Sequence, residues 1–95
     1  MFTGIIETVG EVEQIKKEGN NIIFTVKSKI SSELKIDQSL SHDGVCLTVV
    51  EKTESTHSVV AIKETSLKSN VKEWKVGTLI NLERAMKLGD RLDGH

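Results

Sequence analysis

The chain has 95 residues, 37% of them hydrophobic and 28% charged, with a net charge of -1 and a pI near 6.3. That length suits one small domain with one core, which buries roughly 60–65% of the surface its unfolded form exposes. No basic tail or acidic run supplies the field that holds a phosphate backbone, and three aromatics (Phe2, Phe24, Trp74) are too few to stack bases, so nucleic acid is disfavoured as a partner.

From the N-terminus, "MFTG" is ambiguous, since a terminal aromatic is either a frayed end or a core plug. The opening lacks basic residues and a continuous apolar region, and no stretch approaches the ~20 apolar residues of a membrane span. The expectation is a soluble protein. "IIETVGEVEQI" then reads as strand, but Val9 and Val12 have opposite parity about Gly10. A bulge or sharp bend at Gly10 would reconcile them. After the turn "KKEGNN", residues Asn21 to Lys27 set Ile22, Phe24 and Val26 against Ile23, Thr25 and Lys27, the period-2 pattern of a strand with one drier face.

A short helix is expected at Ser31 to Lys35, where Ser and Glu stand in cap-like order. Strands follow at Gly44 to Lys52 and His57 to Ile62, then a second short helix at Lys63 to Asn70. The last strand is expected at Val76 to Glu83, with Val76, Thr78, Ile80 and Leu82 on one face. "LERAMKLGD" could also pass for a helix, and strand into loop is preferred. Short strands at this spacing indicate an antiparallel barrel or sandwich. No internal repeat, low-complexity tract or proline is visible. The polar, glycine-rich "GDRLDGH" resembles a domain boundary, as if a longer gene continued beyond it.

One cysteine makes neither an internal disulfide nor a tetrahedral zinc site, and it suits a reducing compartment, with the cytoplasm as the default. His42, His57, His95 and Cys46 lack the paired spacing of zinc ligands, so a metal is not expected. A Cys-His nucleophile pair would need His42 brought across the Asp43-Gly44 turn, which the pattern does not favour. Parity is more informative. In the strand after Gly44, Val45, Leu47 and Val49 face one way, while Cys46, Thr48 and Val50 face the other. The first set should fill the core. On composition alone Cys46 reads as a small buried filler, with ligand contact as the alternative. At "VVAIKETS" a strand meeting a helix leaves backbone groups that can read a flat heterocycle, or that merely start a surface helix.

Taken together, "MFTGIIE", "GVCLTV", "KET" and "NLERAMKLGDRLDGH" closely resemble the riboflavin synthase family, specifically its N-terminal lumazine-binding module, across the whole chain. The resemblance implies an all-β fold, a six-stranded antiparallel Greek-key barrel with one or two short helices. The family enzyme carries two such barrels and a helix that assembles a homotrimer, so this chain resembles its N-terminal half. The implied reaction moves a four-carbon unit between two molecules of 6,7-dimethyl-8-ribityllumazine, giving riboflavin and a pyrimidinedione without cofactor or metal. The two ligands stack in opposed orientation, one per barrel, and proximity supplies much of the acceleration.

By the same resemblance, Gly4, Ile5 and Ile6 line the pocket, while Phe2 and Thr3 reach toward the second ligand. Cys46, Leu47 and Thr48 border the lumazine and its ribityl chain. Val60, Ala61, Ile62, Lys63, Glu64 and Thr65 form the segment that reads the pyrimidine edge, and Ser39 accompanies Cys46, Phe2 and Thr3 as a catalytic-site residue. Two positions depart from the family pattern: Asp43 stands where a neutral Asn is common, and Asp93 where glycine is frequent. A lone barrel is expected to pair with a copy of itself as a homodimer, to bind ribityllumazine or riboflavin, and to catalyse poorly. The rivals are a non-catalytic chromophore carrier like the lumazine proteins and a structural barrel without ligand.

Overall fold

A computed structural model describes residues 8–63 and 70–84. It is an all-β barrel of six strands: β1 (Thr8–Glu18), β2 (Asn21–Lys27), β3 (Ser39–His42), β4 (Val45–Lys52), β5 (Thr56–Ala61) and β6 (Leu79–Arg84). All neighbours are antiparallel and the order β1-β2-β5-β4-β3-β6 closes on itself. Strands β3, β4 and β5 follow one another by hairpins and β6 returns beside β3, which is a Greek key. Closure leaves no sheet edge, and one side chain of each pleat points inward. Phe24, Val26, Leu40, Leu47, Val49, Val59, Ile80 and Leu82 fill the interior.

The alternation expected for β2 and β4 is present. Val49 is fully buried and Leu47 is 4% exposed, with Val45 half-buried beside them, whereas Cys46, Thr48 and Val50 face outward. Elsewhere the structure differs from the pattern. Val9 and Val12 lie on one regular strand with Val9 simply outside, and the register shift falls between Val12 and Gln14, not at Gly10. Gly10 is needed for a different reason: a Cβ there would stand 2.6 Å from Val26 Cγ1 and 2.9 Å from Leu82 Cδ1. Strand β6 begins at Leu79 and not at Val76, because Gly77 has φ 95° and Thr78 N–H returns to the Lys75 carbonyl at 2.9 Å, closing a turn that leaves Val76 exposed. The expected helix at Ser31 to Lys35 is a single 3-10 turn, Ser31–Glu33. The second expected helix lies almost wholly outside the described residues, and a further 3-10 turn occupies Asn70–Glu73. Strand β3 carries no apolar alternation and was absent from the sequence pattern.

The barrel is also internally duplicated, contrary to the expectation of no repeat. The unit strand, strand, 3-10 turn, strand occurs twice, as β1-β2-β3 and β4-β5-β6 with their turns. Ser39–Thr48, Leu40–Leu47, Ser41–Cys46 and His42–Val45 pair in one half as Leu79–Glu11, Ile80–Gly10, Asn81–Val9 and Leu82–Thr8 pair in the other. Both units carry the same register shift, at Val12/Gln14 and Val49/Glu51. The turns match bond for bond. Gln38 Oε1 and Thr78 Oγ1 accept from Lys35 N–H and Lys75 N–H at 2.8 and 2.9 Å, and Asp37 at φ 73° stands where Gly77 stands at φ 95°. A pseudo-twofold axis passes between Thr25 and Ser58, whose hydroxyls hydrogen-bond at 3.1 Å.

Candidate ligand-binding face

The hairpin joining β3 and β4 turns on Asp43 (φ 51°) and Gly44 (φ 86°), both left-handed as a two-residue primed turn requires. The Asp43 carboxylate accepts from Asn81 N–H at 2.7 Å, and Asp43 N–H donates to the Asn81 carbonyl at 2.8 Å. The charge that departs from the family pattern thus fastens the hairpin to β6. The hairpin in turn sets an outward row in which Ser39 lies opposite Thr48 and Ser41 opposite Cys46. Cys46 is exposed, which removes the buried-filler reading. Ser41 is 7% exposed, and Glu83, its partner across β6, is 9% exposed.

Next to this row the pairing of two wall strands ends early. The β4–β5 ladder stops at Val49–Val59, although β4 continues back to Val45 and β5 on to Ala61. In the duplicate half the matching ladder continues one pair further, to Glu11–Lys27. Beyond that pair β4 presents Cys46 and Thr48, and β5 and the residue after it present Val60 and the exposed Ile62. Of the residues singled out in the sequence, Ser39, Cys46, Thr48, Val60, Ile62 and Lys63 therefore border one stretch of the surface or adjoin it. Leu47 and Ala61 turn their side chains into the core, so only their backbones reach this face. Phe2, Thr3, Gly4, Ile5, Ile6, Glu64 and Thr65 lie outside the described residues.

Directly beneath β3 is a polar chain that sequence spacing did not reveal. His42 and His57 are both fully buried with their Nε2 atoms 3.0 Å apart. His57 Nδ1 is 3.0 Å from Ser31 Oγ, which is 2.9 Å from Ser28 Oγ, and His42 Nδ1 is 2.9 Å from the Leu40 carbonyl. A carbonyl only accepts, so His42 carries its proton on Nδ1 and accepts at Nε2. His57 must then donate from Nε2 and accept at Nδ1 from the Ser31 hydroxyl. Every hydrogen bond in the chain has one direction, and both rings are neutral. Burial, with repulsion from the His57 ring adding to it, pushes His42 down to about 3 despite the Leu40 bond; burial pushes His57 down to about 4. Both ring nitrogens of His42 are engaged, so neither accepts from the buried Trp74 Nε1, which has no acceptor among the described residues. No group of three or more potential metal ligands occurs among the described residues.

Comparison with known proteins fits this geometry. The pattern defining the lumazine binding domain matches residues 3–85. The chain belongs to the lumazine-binding domain family. It is 38% identical over 96 residues to riboflavin synthase of Bacillus subtilis (strain 168), and 35% identical over 96 residues to that of Actinobacillus pleuropneumoniae. Each alignment covers 100% of this chain and 45% of the relative, so the chain spans about half the length of the curated relatives it matches. The barrel superposes on LumP complexed with 6,7-dimethyl-8-(1'-D-ribityl) lumazine with a TM-score of 0.83 at 23% identity, covering 94% of this chain and 50% of LumP. That similarity extends the family assignment to the fold.

Proposed function

We propose that the chain is a ribityllumazine-binding barrel of a riboflavin synthase, with the ligand's ring where the β4–β5 pairing ends and its ribityl chain along Ser39, Cys46 and Thr48. The observation that carries this reading is the ladder ending at Val49–Val59 beside an outward row of hydroxyls and a thiol. A flat heterocycle with ring N–H and C=O groups can pair with backbone groups beyond the end of a ladder. Apolar Val60 and Ile62 on one side and polar Cys46 and Thr48 on the other match a ring with a polyol tail. In this reading Gly4, Ile5, Ile6, Glu64 and Thr65 complete the pocket, and Phe2 and Thr3 touch a second ligand.

The reaction is a dismutation of two ribityllumazines into riboflavin and a pyrimidinedione. Atoms and electrons balance between the two molecules, so no external oxidant or reductant is required. Two ligand-bearing barrels must face one another, and a homodimer of this barrel, or a homotrimer of a longer two-barrel chain, provides that arrangement. A cytoplasmic setting suits the free thiol.

Fluorescence titration with ribityllumazine and riboflavin tests the binding. Quenching or a spectral shift at micromolar protein is expected, together with slower reaction of Cys46 with a thiol reagent when ligand is present. No spectral change, or identical labelling with and without ligand, would overturn the site. Following riboflavin absorbance measures turnover, which is expected to be far below that of an intact two-barrel enzyme.

A further inference from the structure

The duplication supplies an internal control for the buried histidines. The positions equivalent to Ser31, His57 and His42 in the other half are Val71, Phe24 and Leu82, and all six are buried. One backbone therefore accommodates either a polar or an apolar trio at the same three places. A hydrogen-bonded core is not needed to build this barrel, and desolvating it carries a cost. The outer faces differ in the same sense. Above the polar trio stand Ser39, Ser41, Cys46 and Thr48; the equivalents above the apolar trio are Leu79, Asn81, Val9 and Glu11.

The geometry points to His42 as a positioning residue for the ligand-binding face: its Nδ1–H bond to the Leu40 carbonyl, held in place by His57 and Ser31, fixes β3 so that Ser39 and Ser41 are aimed outward beside Thr48 and Cys46. Leu40 lies between the two serines and its carbonyl belongs to the Leu40–Ser41 peptide plane, so a bond to that carbonyl restrains the backbone that joins them. His57 fixes the His42 ring orientation from β5, and Ser31 fixes His57 from the 3-10 turn. This inference rests on the ribityllumazine reading of the same face.

Two substitutions separate the bonds. In His42→Asn the amide nitrogen occupies the place of Nδ1 and keeps the Leu40 bond, while the His57 bond is lost. In His42→Gln the side-chain oxygen occupies the place of Nε2 and keeps the His57 bond, while the Leu40 bond is lost. Ligand affinity is expected to fall about three- to tenfold in His42→Gln, a hydrogen bond's usual worth, and to stay within about twofold of the parent in His42→Asn, whatever their order of thermal stability. Equal affinities in the two variants, or the weaker binding in His42→Asn, would overturn the inference. Transplanting the apolar trio, Ser31→Val with His57→Phe and His42→Leu, should give a folded barrel with similarly weakened affinity, and parental affinity would again overturn it. If the parent chain binds no ribityllumazine, the proposed function fails by itself. Amide hydrogen exchange then decides the positioning role without ligand: faster exchange of the β3 and β4 amides in His42→Gln but not in His42→Asn supports it, and equal rates overturn it.

Discussion

Lowering the pH from 7 to 5 should destabilise this barrel through two residues. In the folded state burial holds His42 at about 3 and His57 at about 4, whereas in the unfolded chain each has the ordinary value of about 6.5. Through this window the unfolded state binds more protons, so stability rises with pH and is lost as pH falls. The contribution is fully present above about pH 6.5, and the loss runs down toward the folded values near 4 and 3. At pH 5 an unfolded histidine has gained about 2 kcal/mol from protonation and a folded one almost nothing, so the pair costs about 4 kcal/mol relative to pH 7. No carboxylate contributes to either shift, so nothing compensates a charge placed on the buried rings. A domain of this size has about 5–14 kcal/mol in total.

Urea unfolding followed by the fluorescence of Trp74, the single tryptophan, which is 5% exposed, reads this directly. The midpoint should fall by roughly 1–4 M between pH 7 and 5 for an m value of about 1–3 kcal/mol per M. The window lies above the ordinary carboxylate range, so acidic side chains do not imitate the effect. In a His42→Gln, His57→Gln variant the pH dependence should vanish. A flat midpoint in the parent chain, or an unchanged slope in the variant, would refute the assignment of two neutral buried rings.

Gly10→Ala should cost about 1–3 kcal/mol, because its Cβ would press on Val26 Cγ1 and Leu82 Cδ1, both held in the core; thermal unfolding should show a Tm lower by roughly 4–20 °C. Asp43→Asn should be within about 0.5 kcal/mol of the parent, since Asn tolerates the left-handed conformation and its amide oxygen can accept from Asn81 N–H. Asp43→Ala should lose about 1–2 kcal/mol by denaturant titration, having neither property.

The sequence made the interior of β2 and β4 legible because both strands alternate cleanly, and the same parity put Cys46 and Thr48 outside. Strand β3 escaped because its inward residues are Leu40 and His42, and a histidine breaks an apolar alternation even where it is fully buried. The start of β6 was overrun for the opposite reason. Val76 and Thr78 continue the apolar period, but the Lys75–Thr78 turn and the left-handed Gly77 end any strand there. The histidine pair was beyond reach of spacing rules, since His42 and His57 meet only when β3 and β5 close around the same interior. The duplication was hidden because most equivalent pairs differ chemically, His42 with Leu82 and Ser39 with Leu79 among them. What the halves share is hydrogen bonding and register, to which side-chain identity contributes little.

That difference between shared backbone and divergent side chains locates the specialised half of the molecule. If the barrel needed a polar core for its architecture, the polar trio would appear on both sides of the pseudo-twofold axis, and it appears on one. If the outward hydroxyls served solubility alone, they would not be expected to sit over that trio in particular, while the other half exposes Val9 and Leu79 at the same positions. The ladder ending at Val49–Val59 falls in the polar half as well, and its counterpart remains paired to Glu11–Lys27. Three departures from symmetry, one in the core, one on the surface and one in the hydrogen-bond ladder, thus converge on the β3–β4–β5 region. A fold held by an apolar interior can build either half, so what distinguishes this half agrees with the proposed ligand-binding face.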